Sequence, residues 1–384
     1  MNWADRNLGE LCSLITDGKH GDCKNEEGSG FFFISCKDVK DGRLNYDAAR
    51  QIVRTDFAET HRRTDLKPGD VLLTNSGTIG RLAIAPDDDR TERTTFQKSV
   101  AVLKPIRELI TPNFLYYKLA AENTRLINSA GGAAQKNLLL GELRRFSIRI
   151  PPLAMQCSIT SILSAYDDLI ENNRRRIQLL EQAARLLYKE WFVHLRFPGH
   201  EHTRTIDGVP EGWERQSLGE FATILKGKNI TKETIEEGDV PVVAGGLKPA
   251  YYHNAANASG PVITVSASGA NAGHVALYHQ DVWASDCSYL SSSDNSEIWF
   301  LYLSMKYCQA EITGMQQGAA QPHVYPKHLK RLGLLLPSRN LRDLFKETVE
   351  VCFLQIANLE KQTEKLAKAR DLLLPKLMNG EMVV

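Results

Sequence analysis

Apolar residues recur at alternating spacings of four and three between positions 153 and 192, and the same spacing returns near the C-terminus. Such a heptad seam is typical of a helix that packs lengthwise against another helix. The first seam comprises Ile159, Leu163, Tyr166, Ile170, Asn173, Ile177, Leu180, Ala184, Leu187 and Trp191. The second lies 186 residues further on and comprises Phe345, Val349, Cys352, Ile356, Leu359, Thr363, Leu366, Arg370, Leu373 and Leu377. We therefore predict two long helices, each roughly 50 Å in length, whose apolar faces pack against each other.

The two seams belong to a longer internal repeat. Aligned without gaps at the same offset, residues 114–192 and 300–378 share 16 identities in 79 pairs, whereas average composition would give about five. The shared residues include Gly-Ala-Ala-Gln, which begins at Gly132 and again at Gly318, and the prolines Pro151 and Pro337. This repeat indicates that the chain arose by internal duplication.

Each copy opens with a tryptophan, at Trp3 and at Trp213, and Leu-Gly-Glu begins five residues later, at Leu8 and at Leu218. The second opening follows a glycine- and proline-rich turn at 208–212. We predict a first globular domain at 1–152, a long helix at 153–198, a linker at 199–212, a second globular domain at 213–338, and a second long helix with a C-terminal tail at 339–384. The predicted fold class is α+β, with two similar small mixed α/β domains separated by two long helices.

Local patterns predict the same elements in both copies. Buried strands are expected at 31–35 and 241–244, and hairpins with a glycine in the turn at 71–85 and 262–278. Helices are expected at 112–127 and 297–312, followed by last strands at 146–150 and 332–336. The offset between the copies falls from 210 to 186 along the chain, so the length changes gather in loops, where specialised functions usually lie.

Composition excludes several classes of protein. No run approaches the 18 apolar residues of a membrane span, and the N-terminus lacks a basic-then-apolar signal peptide. The seven cysteines are odd in number and form no Cys-x-x-Cys pair. They are typical of reduced thiols, and we expect a cytoplasmic protein.

Charge differs between segments of the chain. Residues 1–152 carry 23 Lys and Arg against 20 Asp and Glu, whereas residues 200–338 carry 10 against 14. A free-standing nucleic-acid binder usually has a basic balance. If this chain binds DNA, we expect the contacts to be local, or a partner to supply much of the charge that binds phosphate.

The sequence lacks the common catalytic motifs. Neither Gly18-Lys19 nor Gly227-Lys228 completes a phosphate-binding loop. His200-Glu201-His202 lies in a polar linker without nearby ligands, which favours a surface loop over a metal site. We therefore predict no catalytic residue and no metal site in this chain.

The whole pattern resembles the specificity (S) subunit of a Type I restriction-modification system. The resemblance is carried by the two tryptophan openings, the two Gly-Ala-Ala-Gln turns and the proline that precedes each long helix. It is also carried by the helix endings Leu-Leu-Tyr-Lys-Glu-Trp-Phe at 186–192 and Leu-Leu-Leu-Pro-Lys-Leu-Met-Asn-Gly-Glu-Met at 372–382. Each motif is weak alone, but all of them occur twice, in order, over nearly the whole chain.

The resemblance implies two target-recognition domains joined by helices that form an antiparallel coiled coil with a pseudo-twofold axis. Each domain would read one half of an asymmetric, interrupted site in double-stranded DNA. The helices would dock two methyltransferase subunits, which in this family modify adenine. Motor-nuclease subunits would complete a complex for antiviral defence. S-adenosylmethionine, ATP and Mg would then belong to the partner subunits, and this chain would be non-catalytic.

Polar side chains at equivalent turns are the candidates for DNA contacts: Lys19, His20, Asn75, Ser76, Gln135 and Lys136 in the first copy, and Lys228, Asn229, Ser268, Asn271, Gln321 and His323 in the second. Glutamine can pair bidentately with adenine, and lysine can reach guanine or phosphate. Alternatively, the Gly-Ala-Ala-Gln turn is purely structural, with its glutamine bonded to local backbone.

Two other classes of function stay open. A coiled-coil structural adaptor would be dismissed by specific retention of the chain on bipartite DNA in the presence of a methyltransferase. A stand-alone nuclease with a divergent site would be supported by metal-dependent cleavage of DNA by the purified chain.

Overall fold

The computed structural model describes residues 3–131, 136–318, 322–382 and 384. The chain divides into two compact units: unit 1 is Met1–Glu171 with Glu364–Val384, and unit 2 is Asn172–Thr363. Both units mix helices and strands, which confirms the predicted α+β class. Within the described ranges, every helix is too short or too polar to span a lipid bilayer.

Unit 1 contains the first eleven strands. They are β1 (Ala4–Asn7), β2 (Cys12–Asp17), β3 (Phe32–Ile34), β4 (Val39–Lys40), β5 (Arg43–Leu44), β6 (Arg50–Gln51), β7 (Val71–Thr74), β8 (Leu82–Ile84), β9 (Thr94–Phe96), β10 (Val100–Pro105) and β11 (Ser147–Ile150). Its helices are α1 (Leu8–Leu11), α2 (Arg54–Thr64), α3 (Pro112–Ala121), α4 (Asn123–Asn128), α5 (Leu140–Arg145) and the first part of α6 (Leu153–Tyr188).

Unit 2 contains the remaining strands of the described chain. They are β12 (Thr205–Ile206), β13 (Val209–Pro210), β14 (Glu214–Ser217), β15 (Leu225–Lys226), β16 (Val240–Val243), β17 (Tyr251–His253), β18 (Val262–Ser266), β19 (Val275–Tyr278), β20 (Trp283–Ala284), β21 (Cys287–Ser291) and β22 (Gly333–Leu336). Its helices are α7 (Leu218–Phe221), α8 (Ile298–Tyr307), α9 (Gln309–Gly314), α10 (Pro326–Leu329) and the first part of α11 (Arg339–Met378).

A four-stranded antiparallel sheet, in the order β2-β10-β7-β8, lies in the middle of unit 1. Strand β10 hydrogen-bonds to β2 on one side and to β7 on the other. Its side chains alternate between two cores: Ala101 and Leu103 face the core that contains Phe114 of α3, and Val100 and Val102 face a second core. The sheet is therefore covered on both faces, which explains why β10 is apolar at successive positions.

Unit 2 repeats this topology, apart from the short pair β4-β5 of unit 1 and the short pair β12-β13 of unit 2. Its central sheet has the order β15-β21-β18-β19, and its three-stranded sheet β17-β16-β20 repeats β6-β3-β9 of unit 1. In both small sheets one pair of strands is parallel, β3 with β9 and β16 with β20. The pairs β1-β11 and β14-β22 also correspond. The duplication seen in the sequence is therefore a duplication of the fold.

The predicted local elements are confirmed with small changes. The two hairpins form as β7-β8, with Leu73 opposite Leu82, and as β18-β19, with Val265 opposite Val275. Each predicted helix at 112–127 and 297–312 occurs as two shorter helices, because the helical backbone breaks at Glu122 and at Cys308.

Within unit 1, the first part of α6 packs beside the last part of α11. Ile159 and Leu163 share a core with Leu377. Nearer the middle of the helices, Asp167 accepts a hydrogen bond from the Arg370 guanidinium in an ion pair. Because low numbers of one helix meet high numbers of the other, the two segments run antiparallel.

The C-terminal end of α11 is fixed to unit 1 by a buried lysine. Lys118 is only 2% exposed, and its Nζ donates to the Met378 carbonyl at 3.0 Å and pairs with the Glu122 carboxylate at 3.0 Å. Gly380 follows at φ 75°, and a Cβ there would lie 3.1 Å from the Trp3 ring. Burial of Lys118 is tolerated because its charge is paired and hydrogen-bonded.

Within unit 2, the second part of α6 packs beside the first part of α11. Tyr188, Trp191 and Phe192 surround Phe345, with ring centroids 6.2, 5.5 and 4.7 Å away. The α-helical stretch of the predicted helix 153–198 ends at Tyr188 and continues as a π-helical turn, Lys189–Val193. This turn carries Trp191 and Phe192 into the core of unit 2.

Every seam residue named from the sequence is buried or half-buried. The apolar face of α11 is nevertheless wider than the seam. Phe353, which the heptad count left out in favour of Cys352, is 1% exposed and stacks on Trp299 with ring centroids 4.5 Å apart. Burial beside these rings lowers the pKa of His279 to about 4, so this imidazole is neutral at physiological pH.

Adjacent leucines of α6 provide a matched test of the seam. Leu180 packs against the core of unit 2, whereas Leu179 is 58% exposed. We expect Leu180→Asp to lower the free energy of unfolding by about 2 kcal/mol or more, because it places a charge against apolar surface. Leu179→Asp should change that free energy by no more than about 0.5 kcal/mol. Denaturant unfolding measures both, and equal effects of the two substitutions would contradict the assignment of the buried face.

Candidate nucleic-acid interface

The central sheet of unit 1 presents several loops at one edge. Asp17, at the end of β2, lies opposite Ala101, and Thr74, at the end of β7, lies opposite Val100, at the start of β10. Because neighbouring strands are antiparallel, the end of one strand lies beside the start of the next. The loops that gather here are called the first loop cluster and comprise residues 18–20, 36–38, 75–80, 97–99 and 136–138.

Backbone hydrogen bonds fix the first loop cluster. The Lys19 N–H donates to the Phe96 carbonyl at 2.8 Å, and the Asn75 N–H donates to the Ser99 carbonyl at 3.0 Å. The Leu138 N–H donates in turn to the Asn75 carbonyl at 2.8 Å. These bonds set the path of the loops without using side chains, which leaves the side chains free to vary.

Unit 2 has an equivalent second loop cluster, which comprises residues 227–229, 244–246, 267–272, 285–286 and 322–324. The Lys228 N–H donates to the Ala284 carbonyl at 2.9 Å, as Lys19 does to Phe96. The Ala267 N–H donates to the Asp286 carbonyl at 3.1 Å, and the Val324 N–H donates to the Ala267 carbonyl at 2.9 Å. We call this shared set of three bonds the backbone frame. The two copies therefore hold their loops in the same way.

The lysine and its neighbour in the first loop of each cluster are placed differently in the two units. Lys19 is half-buried, and its Nζ lies 2.9 Å from Glu59 Oε2 in a hydrogen-bonded ion pair that raises the pKa of the lysine. Lys228 is exposed, while its carbonyl accepts a bond from the Trp283 indole at 2.8 Å. His20 and Asn229 are both exposed. These four residues lie on the loop cluster of their own unit.

Several candidates in the hairpin turns hold the loops together. Asn75 is 7% exposed, and its Oδ1 is buried without a hydrogen-bond partner in the described structure. Ser76 is half-buried and pairs through its backbone with Asn137. The Asn271 amide donates to the Gly245 carbonyl at 3.3 Å. Of these three side chains, only that of Asn271 supports a loop by a hydrogen bond, whereas Asn75 is buried and Ser76 is fixed through its backbone.

The candidates around the Gly-Ala-Ala-Gln turns are described in part. Gln135 and Gln321 lie outside the described residues. Lys136 is exposed. His323 is half-buried, pairs through its backbone with Gln317, and stacks on the Tyr325 ring at 5.5 Å.

Four residues of the loop clusters were missed by sequence reasoning. Lys37 and Lys98 are exposed in the first cluster, where Ser99 Oγ also accepts a bond from the Cys36 N–H at 3.1 Å. Asp286 is half-buried in the second cluster, at the place that Ser99 holds in the first. An alignment of the two copies strand by strand would be needed to identify these positions. The sequences of the loops that carry them are too different to align directly.

The two clusters differ in charge. The first contains Lys19, Lys37, Lys98 and Lys136 with a single acid, Asp38, which is 3% exposed and bonded to Ser35. The second contains one lysine, Lys228, and one acid, Asp286. A basic, loop-rich surface suits a polyanion, so the first cluster has the stronger electrostatic attraction for nucleic acid.

The described part of the chain holds no group of three or more His, Cys, Asp or Glu side chains arranged to bind a metal ion. This includes His200 and His202, which lie at the surface in a short 3-10 turn.

Comparison with known proteins agrees with this geometry. A family model described as "Type I restriction modification DNA specificity domain" matches residues 1–182 and 210–341. The Type I restriction enzyme MjaIX specificity subunit of Methanocaldococcus jannaschii is 27% identical over 346 residues, covering 82% of this chain and 78% of the relative. The HindI specificity subunit of Haemophilus influenzae is 23% identical over 408 residues, covering 83% of this chain and 87% of the relative.

A solved structure has the same fold. The crystal structure of the Type I restriction-modification system S subunit from M. genitalium matches with a TM-score of 0.61 at 19% identity, covering 98% of this chain and 96% of that one. The family model and the specificity subunits it agrees with confirm the resemblance drawn from the sequence motifs. With one match of the family model in each copy of the repeat, the chain belongs to the Type I restriction-modification DNA specificity family.

Proposed function

We propose that this chain reads an asymmetric, bipartite DNA target, and that each loop cluster contacts one half of it. One observation carries the proposal: the same backbone frame presents different side chains in the two copies. His20 is replaced by Asn229, Ser99 by Asp286, and Asn137 by His323. Base edges are distinguished by hydrogen-bonding side chains. Two readers of one architecture with different side chains suit a target whose halves differ.

The difference in charge between the two loop clusters suggests that they contribute unequally to DNA affinity. Lysines of the first loop cluster can contact phosphates or guanine, and each neutralised phosphate strengthens binding in a salt-dependent way. The second loop cluster supplies a single lysine. We propose that a partner subunit contributes much of the phosphate-binding charge and that the isolated chain binds DNA weakly.

Exposed apolar side chains on the long helices support docking of partner proteins. Leu344, Val351 and Leu354 of α11 are 42%, 66% and 56% exposed, and their spacings of seven and three place them on one helix face. Leu179 and Leu186 of α6 are 58% and 61% exposed at a spacing of seven. Such outward apolar stripes mark interaction surfaces. We propose that two methyltransferase subunits dock on these faces and that motor-nuclease subunits join the resulting complex.

We propose that the partner subunits, and not this chain, carry out the reaction chemistry. Methyl transfer from S-adenosylmethionine would occur on the methyltransferase subunits, and ATP and Mg would act on the motor-nuclease subunits. The role of this chain is to place those subunits at a chosen sequence.

A map of methylated adenines tests the proposed reading. The host should lack any other adenine methylation. Co-expression of this chain with its methyltransferase should then methylate one asymmetric motif, which consists of two short blocks separated by unspecified bases. The methyltransferase expressed without this chain is the control and should leave that sequence unmarked. A single contiguous motif, or the same map without this chain, would contradict bipartite reading.

Two β-branched residues of equal exposure, one on the proposed docking face and one outside it, test the docking proposal. Val351 on α11 and Ile206 on β12 are each 66% exposed. Val351→Asp should weaken binding of the methyltransferase by about tenfold or more, because a charge would enter an apolar interface. Ile206→Asp should leave that affinity unchanged. Binding can be measured by calorimetry, with denaturant unfolding to verify that both variants are folded, and wild-type affinity of Val351→Asp would remove this face from the proposal.

A further inference from the structure

The carboxylate in the second loop cluster has no structural equivalent in the first. Asp286 and Ser99 occupy the same place in the backbone frame, since their carbonyls accept equivalent bonds from Ala267 and Asn75. A serine at this position in unit 1 supports the same loop path. The fold therefore does not require an acid at position 286.

The Asp286 side chain is half-buried and is held at one of its two carboxylate oxygens. The Ser268 hydroxyl donates to its Oδ2, and the second carboxylate oxygen has no hydrogen-bond partner among the described residues. Gly245 packs against this pair, because a Cβ there would lie 2.9 Å from the Ser268 carbonyl and 3.6 Å from Asp286 Oδ2. No basic side chain of the described structure forms an ion pair with Asp286. The half-buried carboxylate thus keeps one unbonded acceptor oxygen within the second loop cluster.

A carboxylate at a DNA-reading surface is repelled by phosphates, so it favours contact with base edges. In the major groove only cytosine N4 and adenine N6 offer hydrogen-bond donors. Adenine places its N7 acceptor beside the N6 amino group, and that acceptor would repel a carboxylate. Cytosine has no acceptor beside its N4 amino group, and aspartate is a known type of acceptor for it.

On this basis we infer that Asp286 is a specificity-determining residue, which accepts a hydrogen bond from the exocyclic amino group of a cytosine in the half-site read by unit 2. Ser268 then acts as a positioning residue, which orients the carboxylate. The inference rests on the proposed function, because it needs the second loop cluster to contact bases.

The test uses the complex of the full chain with its methyltransferase and duplexes that carry the mapped target. Each cytosine of the target, on either strand, is replaced singly by N4-methylcytosine, which pairs with guanine but carries a methyl group in the major groove. We expect the wild-type complex to lose roughly tenfold or more in affinity at one such position, confined to one half of the target. Asp286→Ala should show no loss at that position.

Asp286→Asn provides a variant that retains an acceptor for the Ser268 hydroxyl. In the methylation map, it should relax or change the preference for cytosine at the same position while the other half of the target stays unchanged. Asp294→Asn is the matched control, because Asp294 is an exposed acid of unit 2 outside the second loop cluster. That control should give the wild-type map.

The outcomes separate the inference from the proposed function. If the wild-type complex marks a bipartite target but tolerates N4-methylcytosine at every position, or if Asp286→Asn leaves the map unchanged, the inference is wrong and bipartite reading stands. If the wild-type complex marks no bipartite target, the proposed function itself fails. If circular dichroism shows that the Asp286 variants do not fold, the wild-type response to N4-methylcytosine decides alone. Loss of affinity at one position would support the inference, and unchanged affinity at every position would contradict it.

Discussion

Each compact unit is completed by packing α6 against α11, and the rest of the structure depends on this burial. Neither helix can leave its apolar face in water, because losing contacts as large as those of Phe345 and Phe353 costs several kcal/mol each. In unit 1 the last turns of α11 join the core, where Lys118 bonds to the Met378 carbonyl. In unit 2 the last turns of α6 join the core through Tyr188, Trp191 and Phe192. The core of unit 1 thus includes the end of α11, which is remote in sequence. The core of unit 2 includes the end of α6, which precedes the second globular domain.

The internal duplication separates residues that build the loops from residues that act in them. The backbone frame recurs in both units, so the hydrogen bonds of Lys19, Asn75 and Leu138 belong to the architecture. Side chains that differ between the copies are not required by that architecture. The replacement of Ser99 by Asp286 is informative for this reason, because the path of the backbone stays the same while the hydrogen-bonding chemistry and the charge change.

Sequence patterns predicted the regular elements well, because their signals are local. Heptad spacing located α6 and α11, and glycine turns between apolar runs located the hairpins at β7-β8 and β18-β19. The loop residues were harder to assign, because they are brought together by strand pairing between distant segments. Asn75 was chosen as a polar turn residue, yet strand pairing buries it, while Lys98 and Asp286 gave no local signal. Phe353 was missed because a heptad seam is narrower than the buried face of a helix.

The central claim is that both loop clusters contact DNA, and amide hydrogen exchange tests it most directly. Exchange is measured on the complex of the chain with its methyltransferase, with and without a duplex that carries the mapped target. We predict that DNA slows exchange in peptides containing residues 75–80 and 97–99 of unit 1 and residues 267–272 and 285–286 of unit 2. Peptides at the opposite edge of each central sheet, around Cys12 and Val262, should exchange at unchanged rates. Protection in only one unit, or protection centred on the opposite edges, would contradict the account.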